Sequence, residues 1–320
     1  MGVPIGGYFE LELNDFGSVY HDGALALNSG RNSFEYIILL RGYSKVHIPY
    51  FTCDVLLEPF KRNNIEYTFY HIDEEFLPVS LDISATDAIL YTNYFGINQL
   101  GVKSVVKKYK NVIIDNSQAF FDMPIAEIDT FYSPRKFFGL PDGGFAYTSK
   151  ANKKNNLETD QSSDRMEHLI MRIENGAESG YLAFKENDRK LSEQTIKCMS
   201  NITLRLLKNI QFNKVLNTRL DHFNLLHNNL KHLNKLSNVI NSSNYVGPMV
   251  YPLWIENAQE IRKRLLQNKI YIAIYWPNVL NWTAPDTLES DFTRNIVCLP
   301  VDQRITQFNL MSIIETINEA

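Results

Sequence analysis

The first half of the chain alternates short apolar runs with stretches of helical periodicity. Runs rich in Val, Ile, Tyr and Phe, each bounded by Gly, Pro, Asn or Asp, predict strands at residues 45–49, 66–70, 87–93, 111–116, 127–132 and 144–148. Between several of these strands, the pattern predicts helices at residues 31–41, 53–62 and 99–110. This alternation indicates a mostly parallel sheet with helices on both faces, and such sheets bind ligands beyond the carboxyl ends of their strands.

The second half of the chain is more helical. Residues 151–185 are polar and turn-prone, which predicts a surface loop or interface segment. Residues 186–237 contain neither Gly nor Pro and carry apolar side chains at helical spacing, so a long helical segment with a buried face is expected. The tail predicts a small α/β domain, with strands at 245–255, 270–276 and 295–300 and helices at 258–268 and 306–318. We therefore expect a large α/β domain over residues 1–185 and a helical segment with a small domain over residues 186–320.

The composition is typical of a globular protein, because 44% of the 320 residues are hydrophobic and 21% are charged. A net charge of −4 gives no basic field that would draw the chain onto nucleic acid or anionic lipid. No run approaches the roughly 20 apolar residues of a membrane span, and the first ten residues do not resemble a secretory signal. Three scattered cysteines without CxxC spacing fit reduced thiols, so a cytoplasmic protein is expected.

The histidines do not predict a metal site. His222, His227 and His232 recur every five residues, and this spacing spreads them around a helix instead of gathering them as ligands. A solvated helix face explains them, and no metal is expected.

The first stretch with chemical potential is Asn-Ser-Gly-Arg at residues 28–31, where a predicted helix begins. Ser29 is a good N-cap, and Gly30 allows another group to approach the backbone closely. Free N–H groups at a helix N-terminus bind anions, phosphate in particular. An ordinary capped helix would have the same sequence, so the stretch alone does not decide between these interpretations.

Two charged residues follow predicted strands. Asp115 ends an apolar strand, where a buried carboxylate needs a partner such as a cationic ring nitrogen; a turn or capping aspartate is the alternative. Lys136 follows a strand and precedes two phenylalanines, which would remove water from the amine and make it nucleophilic. A surface lysine, or an Arg135–Lys136 pair that binds phosphate or carboxylate, is the alternative there. Tyr94 adds an aromatic side chain and a tight turn at a third strand end.

The order of these stretches is more specific than any one of them. Ser-Gly at a helix start, Pro-x-x-Thr at residues 49–52, an aromatic–Gly turn, Asp115 with Gln118 three residues later, and Lys136 about 20 residues on follow one another along residues 25–150. This set resembles pyridoxal-phosphate (PLP) enzymes of the aspartate-aminotransferase fold. More narrowly, it resembles the DegT/DnrJ/StrS family of sugar-nucleotide aminotransferases. The resemblance implies an α/β large domain with a mostly parallel sheet and a small C-terminal α/β domain.

The resemblance also implies roles for individual residues. Lys136 is the catalytic residue, which bonds to the cofactor and later moves the substrate proton. Asp115 pairs with the pyridinium nitrogen, and Gln118 forms a hydrogen bond near the ring hydroxyl. The cofactor phosphate is held by the Gly30 and Arg31 amides and by Ser133. In the family, a helical region of a second subunit contributes an asparagine, for which Asn201 is the candidate, so a homodimer with shared active sites is implied.

The sequence departs from the family at the residue that stacks on the cofactor ring. The position after Thr52, usually aromatic, is Cys53, so Phe51 or Tyr94 is expected to stack instead. A related group of sugar dehydratases has histidine in place of the lysine, and Lys136 argues against that reaction.

These features predict a PLP-dependent aminotransferase that transfers an amino group from a donor to a keto-sugar nucleotide, in surface-polysaccharide or glycoside biosynthesis. One alternative keeps the cofactor but has an amino or keto acid as substrate, with Arg172 or Arg304 binding its carboxylate. A second alternative is a binding or regulatory protein with this fold and no catalysis. The presence of Lys136, Asp115 and Gln118 together argues against that alternative.

Overall fold

The computed structural model describes residues 5–15, 17–149, 157–192 and 194–319. The strands of these residues are β1 Leu25–Leu27, β2 Lys45–Pro49, β3 Glu66–Tyr70, β4 Ala88–Thr92, β5 Val112–Asp115, β6 Asp129–Tyr132, β7 Gly144–Tyr147, β8 Val250–Trp254 and β9 Ile296–Pro300. The helices are α1 Gly30–Arg41, α2 Leu57–Asn63, α3 Gln99–Lys108, α4 Glu167–Asn175, α5 Tyr181–Leu191, α6 Asn201–Lys208, α7 Phe212–Leu230, α8 Ser237–Ser242, α9 Ala258–Gln267, α10 Val279–Trp282, α11 Leu288–Asn295 and α12 Gln307–Asn318. Short 3-10 turns occur at Asp54–Leu56, Tyr94–Gly96, Pro134–Lys136 and Ser163–Arg165.

Seven strands form one mostly parallel sheet in the order β1-β7-β6-β5-β4-β2-β3. Strands β2 to β6 run parallel to one another, and β7 runs antiparallel to both β6 and β1. The six predicted strands of this sheet are therefore confirmed, and so is the predicted α/β class. Strand β1 was not predicted, because three residues are too few for an alternating pattern to be recognised.

Both faces of the sheet are covered by apolar packing. Helices α1 and α2 cover one face with buried side chains such as Phe34, Ile38 and Phe60. The other face packs against α3 and the C-terminal part of the chain. Parallel strands covered on both faces have nearly continuous apolar sequences, and the five residues of β4 are all buried.

The C-terminal part contains the antiparallel pair β8–β9 and the helices around it. It shares its core with the sheet: Phe51 contacts Trp276 and Phe292, with ring centroids 5.0 and 5.4 Å apart. The predicted strand at residues 270–276 is wrong, since this segment pairs with no strand. The predicted domain boundary at 185/186 falls inside α5, and the division into two domains stays a prediction.

The helical prediction for residues 186–237 holds only in part. The end of α5, then α6 and α7, lie in this range, but residues 194–200 and 209–211 are not helical. Conversely, α4 lies in the stretch that was predicted as a polar loop, whose residues 151–156 are outside the described residues. The polar run of residues 158–165 dominates the composition of this stretch, and the short apolar pattern of α4 that follows it was overlooked. No helix among the described residues is long and apolar enough to cross a bilayer.

Candidate active site

The predicted site residues meet at the carboxyl edge of the sheet. Thr92 at the end of β4 lies opposite Asp115 at the end of β5, and Asp115 lies opposite Phe131 in β6. Because these strands are parallel, the segments that follow them emerge side by side. The turns that contain Tyr94 and Lys136 therefore flank Asp115.

The start of α1 lies against the end of β6. Ser29 caps the helix, with its Oγ accepting the Asn32 N–H at 3.0 Å, as the sequence predicts. A Cβ atom added to Gly30 would be 3.0 Å from Ser133 Cβ, so only glycine permits this approach without a shift of Ser133. The first turn of a helix has N–H groups without partners inside the helix, and here that turn is next to a serine hydroxyl. The side chain of Arg31 forms an ion pair with Glu58 instead of contributing to the site.

Asp115 and Lys136 lie within electrostatic reach of each other. Asp115 is buried, and its Oδ1 accepts the Ser117 N–H at 2.8 Å. Burial raises the pKa of Asp115, and the Lys136 ammonium acts in the opposite direction. Cys53 shows the same pair of effects: burial raises the pKa of its thiol, and Lys136 opposes the rise. The structure therefore gathers Cys53, Asp115 and Lys136 into one cluster.

The Lys136 side chain is exposed, at the end of a 3-10 turn. Within the described residues its amine has no hydrogen bond or ion pair. The expectation that neighbouring aromatic rings desolvate Lys136 is wrong for the single chain, because Phe137 and Phe138 are buried in a core cluster of their own. Lys136 is thus open to a ligand from one side and close to a buried carboxylate on the other.

Gln118 carries an unpartnered donor. Its side chain is fully buried, and its Oε1 accepts the Phe95 N–H at 2.6 Å. Its Nε2 is also buried but has no acceptor among the described residues. A buried amide donor without a partner costs on the order of 1–3 kcal/mol, so Gln118 points to an acceptor that is not part of the described chain.

Phe51 and Tyr94 have no ring surface left for stacking. Both are fully buried, their centroids are 5.5 Å apart, and Tyr94 Oη donates to the Phe51 carbonyl at 3.0 Å. Cys53, at the position that is usually aromatic in the family, is partly exposed. The residue that contacts a cofactor ring stays a prediction, and the burial of both aromatic rings favours Cys53.

Asn201 is an exposed residue at the first position of α6. The preceding Ser200 caps α6, and its Oγ donates to Asp142 Oδ1 at 2.9 Å. Gly143, the residue after Asp142, forms a β-bridge with Ser29. Helix α6 therefore begins near the start of α1 in the same chain. The assignment of Asn201 to the site of a second subunit stays a prediction.

A cavity of about 580 Å³ opens beside Lys136. Its walls come from the Pro134–Lys136 turn, from α4 and α5, and from parts of residues 271–275 and 298–304. Its volume is in the range of small-molecule binding sites. Its cationic lining residues are Arg135, Lys136, Arg172, Arg219 and Arg304. Sequence reasoning missed the wall that α4 provides; Leu169 and Ile173, four residues apart and both lining the cavity, were the signal in that stretch.

The described residues contain no group of three or more His, Cys, Asp or Glu side chains that could hold a metal ion. The interpretation of the three histidines as a solvated helix face is wrong for His227, which is buried. Its Nε2 lies 2.9 Å from Asn241 Oδ1 and its Nδ1 lies 3.3 Å from Tyr251 Oη, so both ring nitrogens are in hydrogen bonds.

Solved structures with a similar fold are numerous, although no protein-family model matches the sequence and a search of curated proteins finds no match. The sugar aminotransferase CalS13 from Micromonospora echinospora is 15% identical, with 93% of this chain and 87% of that chain covered and a TM-score of 0.66. A DegT DnrJ EryC1 StrS aminotransferase from Brucella abortus is 16% identical over 92% of this chain and 85% of that chain, with a TM-score of 0.63. The PLP-form of Spr1654 from Streptococcus pneumoniae is 14% identical over 92% and 86%, with a TM-score of 0.61.

These similarities cover 92–93% of this chain. At such low identity they establish the architecture and leave the chemistry to be argued from the site residues. The chain therefore has the fold of sugar aminotransferases of the DegT, DnrJ, EryC1 and StrS type.

Proposed function

We propose that this protein is a PLP-dependent aminotransferase that transfers an amino group to a keto-sugar nucleotide. The observation that carries the proposal is the meeting of Lys136, Asp115 and the unpartnered Gln118 amide at the carboxyl edge of a sheet with this fold. The neighbouring structures add support, since all three are named as aminotransferases and one of them is a PLP-form. The pathway we infer is surface-polysaccharide or glycoside biosynthesis.

The site residues fit pyridoxal phosphate. Asp115 is a buried carboxylate that would accept a hydrogen bond from a protonated ring nitrogen, which offsets the cost of its burial. The unpartnered Gln118 Nε2 would donate to the ring hydroxyl. The start of α1 at Gly30, adjacent to Ser133, would hold the phosphate. The ring nitrogen, the ring hydroxyl and the phosphate would thus each have a partner of complementary chemistry in the chain.

The chain's own residues divide the chemistry between them. When bound, pyridoxal phosphate supplies an electron sink for the carbon that loses a proton. Lys136 Nζ would accept that proton and return it to a second carbon, and the exposure of its side chain allows this movement. The Asp115 carboxylate would keep the ring nitrogen protonated. Burial around Asp115 excludes water from this contact.

In the alternative with an amino or keto acid as substrate, the two carboxylate-binding candidates differ. Arg304 is already paired with Asp302, with Nε at 2.8 Å from Oδ1 and Nη2 at 2.9 Å from Oδ2. This pair uses two of the five N–H donors and offsets the charge of Arg304, so Arg304 attracts a substrate carboxylate less strongly. Arg172, which has no such partner among the described residues, is the stronger candidate.

The test of the proposed function is the visible absorption spectrum of the purified protein with added PLP, before and after borohydride reduction. We expect a reducible visible band and a covalent mass adduct on Lys136, both lost in Lys136→Ala. Lys103→Ala, which removes an exposed lysine of α3, is the matched control and should behave as wild type. Absence of the band, or an adduct on another lysine, would contradict the proposal. Assays with keto-sugar nucleotides and with keto acids would then separate the two substrate classes.

We further infer a cytoplasmic homodimer in which Asn201 reaches the site of the second subunit. The exposure of Asn201 and Lys136 in the single chain supports the inference, because both are available for a contact between subunits. The three cysteines are free, which supports a reducing compartment. Sedimentation analysis of the purified protein would test the dimer, and a monomer at assay concentration would contradict it.

A further inference from the structure

The cavity beside Lys136 has a strong excess of positive charge. Five cationic side chains line it, and the single carboxylate of the lining is that of Asp302. Three of its arginines are occupied by protein acceptors. These contacts are Arg135 with Asp188 at 2.7 Å, Arg219 with the Pro248 and Met249 carbonyls at 3.1 Å, and Arg304 with Asp302.

Arg172 is different from these three arginines. Within the described residues it has no hydrogen-bond acceptor and no ion-pair partner, although Arg304 is close enough to repel it. Burial and this repulsion lower the pKa of Arg172, while Asp302 acts against them. Arg172 is exposed and a guanidinium stays charged in proteins, so its N–H donors are open to an anion that enters the cavity.

A second unpartnered group lies on the same face of α4. His168 precedes Arg172 by four residues, a spacing that places both side chains on one side of a helix. His168 is only 8% exposed and lines the cavity. Its Nδ1 is buried without a partner among the described residues. The His168 ring therefore lines the cavity next to Arg172, and one of its nitrogens has hydrogen-bonding capacity that the described chain does not use.

The rest of the lining is apolar and aromatic. Phe184 and Tyr181 of α5, and Tyr271 and Tyr275 of the C-terminal part, are among its residues. Aromatic walls suit a flat ring, and the volume of about 580 Å³ exceeds what a small amino acid needs.

We propose that Arg172 and His168 bind the diphosphate of a nucleotide-linked substrate, with the nucleoside against the aromatic wall and the sugar toward Lys136. This inference rests on the proposed function, since it assigns the substrate's phosphates to a place beside the reacting lysine. Arg172 supplies charge-assisted hydrogen bonds to the phosphate oxygens, and His168 adds a neutral donor or acceptor on the same face of α4. The α4–α5 hairpin, residues 167–191, thereby determines which substrates are held.

The experiment is isothermal titration of the full-length protein, loaded with PLP, with UDP, dTDP and GDP in separate runs. Uridine, inorganic phosphate and L-glutamate serve as comparison ligands. We expect at least one nucleoside diphosphate to bind more tightly than its nucleoside or phosphate alone. Arg172→Gln should weaken that binding at least tenfold, and Arg172→Lys should weaken it less, because the charge remains.

Arg189→Gln is the matched control, because Arg189 is exposed on α5 and pairs with Glu186 outside the cavity. It should bind nucleotide as the wild type does. His168→Asn should weaken binding by a smaller factor than Arg172→Gln. The visible PLP band should be unchanged in all four variants, and its persistence shows that they fold.

The outcomes separate the two proposals. If the PLP band forms but no nucleoside diphosphate binds, or if Arg172→Gln binds it normally, the inference is wrong and the proposed function stands. If Arg172→Gln weakens L-glutamate binding instead, Arg172 binds the amino donor and the diphosphate assignment is overturned. If no PLP band forms in the wild type, the proposed function fails on its own test, whatever the titration shows.

Discussion

His21 is a fully buried histidine that is held neutral by its surroundings. Its Nε2 donates to the Phe120 carbonyl at 2.7 Å, and the Tyr147 hydroxyl lies 3.2 Å from its Nδ1. Burial lowers the pKa of His21 to about 4, although the hydrogen bond to Phe120 opposes the shift. In the unfolded chain the same side chain takes up a proton near pH 6.5, so acid favours unfolding over the range between these two values.

We predict that His21→Gln reduces the loss of stability on acidification. In the wild type, the contribution of His21 to the free energy of unfolding is complete above pH 6.5. It falls by up to about 3 kcal/mol as the pH drops to about 4. Urea unfolding at several pH values between 4 and 7.5 measures this change. His232→Gln, at an exposed position of the C-terminal part, should leave the pH dependence as it is in the wild type. An unchanged slope in His21→Gln would contradict the assignment.

Asp122 changes the stability of the fold with pH in the opposite direction to His21. Its Oδ2 accepts hydrogen bonds from Asn93 Nδ2 and Gln99 Nε2, both at 2.7 Å. Burial raises the pKa of Asp122 to about 6, and these two hydrogen bonds only partly offset the rise. The folded state therefore binds the proton more tightly than the unfolded state, and stability falls as the pH rises from about 4 to about 6.

We predict that Asp122→Asn removes this decrease in the free energy of unfolding, which is about 3 kcal/mol. The variant should therefore be more stable than the wild type near pH 7. One oxygen accepts both amide donors, so the asparagine Oδ1 can replace it. Unfolding curves at pH 4.5 and 7 provide the measurement, with Asp286→Asn at an exposed position as the control. Because His21 and Asp122 oppose each other in this pH range, the single variants should reveal effects that nearly cancel in the wild type.

Among individual residues, the sequence identifies the site residues whose order along the chain is distinctive. It does not identify residues whose role depends on three-dimensional packing. Asp115 and Lys136 follow strand ends, so topology alone brings them together. The burial of Phe51 and Tyr94 depends on rings from the C-terminal part of the chain, which no local pattern reveals. The same holds for His168: it follows the polar run of residues 158–165, and only the packing of α4 shows that its ring is buried.

At the scale of elements, the turn Tyr94–Gly96 positions Gln118. Gly96 has a φ of +74°, and a Cβ at this position would be 2.7 Å from the Gln118 backbone carbonyl. A side chain here would therefore add a steric clash to the strain of the left-handed backbone. The turn and the segment after β5 fit together only because residue 96 is glycine.

We predict that Gly96→Ala destabilises the fold by about 2–3 kcal/mol and also weakens PLP binding, because Gln118 must move. Gly42→Ala is the matched control: Gly42 ends α1 with a φ of +71°, but no heavy atom lies within 4 Å of a Cβ there. It should cost about 1 kcal/mol and leave PLP binding unchanged. Unfolding curves and PLP titration measure the two effects. If the two variants lose the same free energy of unfolding, the contact with Gln118 contributes nothing to stability.

Elements with strong local patterns could be predicted, and those that depend on context could not. Strand β5 and helix α12 have sequences with continuous or periodic apolar residues, and their positions agree with the sequence to within two residues. The segment 270–276 has the composition of a strand, with Ile, Tyr and Trp, yet four of its residues line the cavity instead of pairing. Composition reports that such a segment is apolar, and neighbouring elements decide what it contacts.

At the scale of the whole molecule, the sheet and the C-terminal part have a common core. Phe292 of α11 is fully buried and contacts Phe51 and Phe76 of the first part, with centroids 5.4 and 5.0 Å apart. It also contacts Trp254 of β8 at 5.0 Å. A ring that packs against both parts couples their unfolding.

We predict that Phe292→Ala destabilises the protein by about 3–5 kcal/mol, in one transition that includes both parts. Phe308→Ala on α12 is the control, because Phe308 is 80% exposed and should change stability by less than about 0.5 kcal/mol. Chemical unfolding, followed by circular dichroism and by limited proteolysis with mass spectrometry, gives both readouts. Two separate transitions, with the sheet unaffected by Phe292→Ala, would instead favour independent domains.

The placement of Cys53 gives the protein a natural footprinting position. Cys53 is partly exposed and lies near Lys136, and Cys198 is also partly exposed but does not line the cavity. A small alkylating reagent would therefore report on these two thiols separately within one molecule. A ring seated over Cys53 would slow its alkylation and leave that of Cys198 unchanged, so occupancy of the site could be followed by mass spectrometry without any substrate.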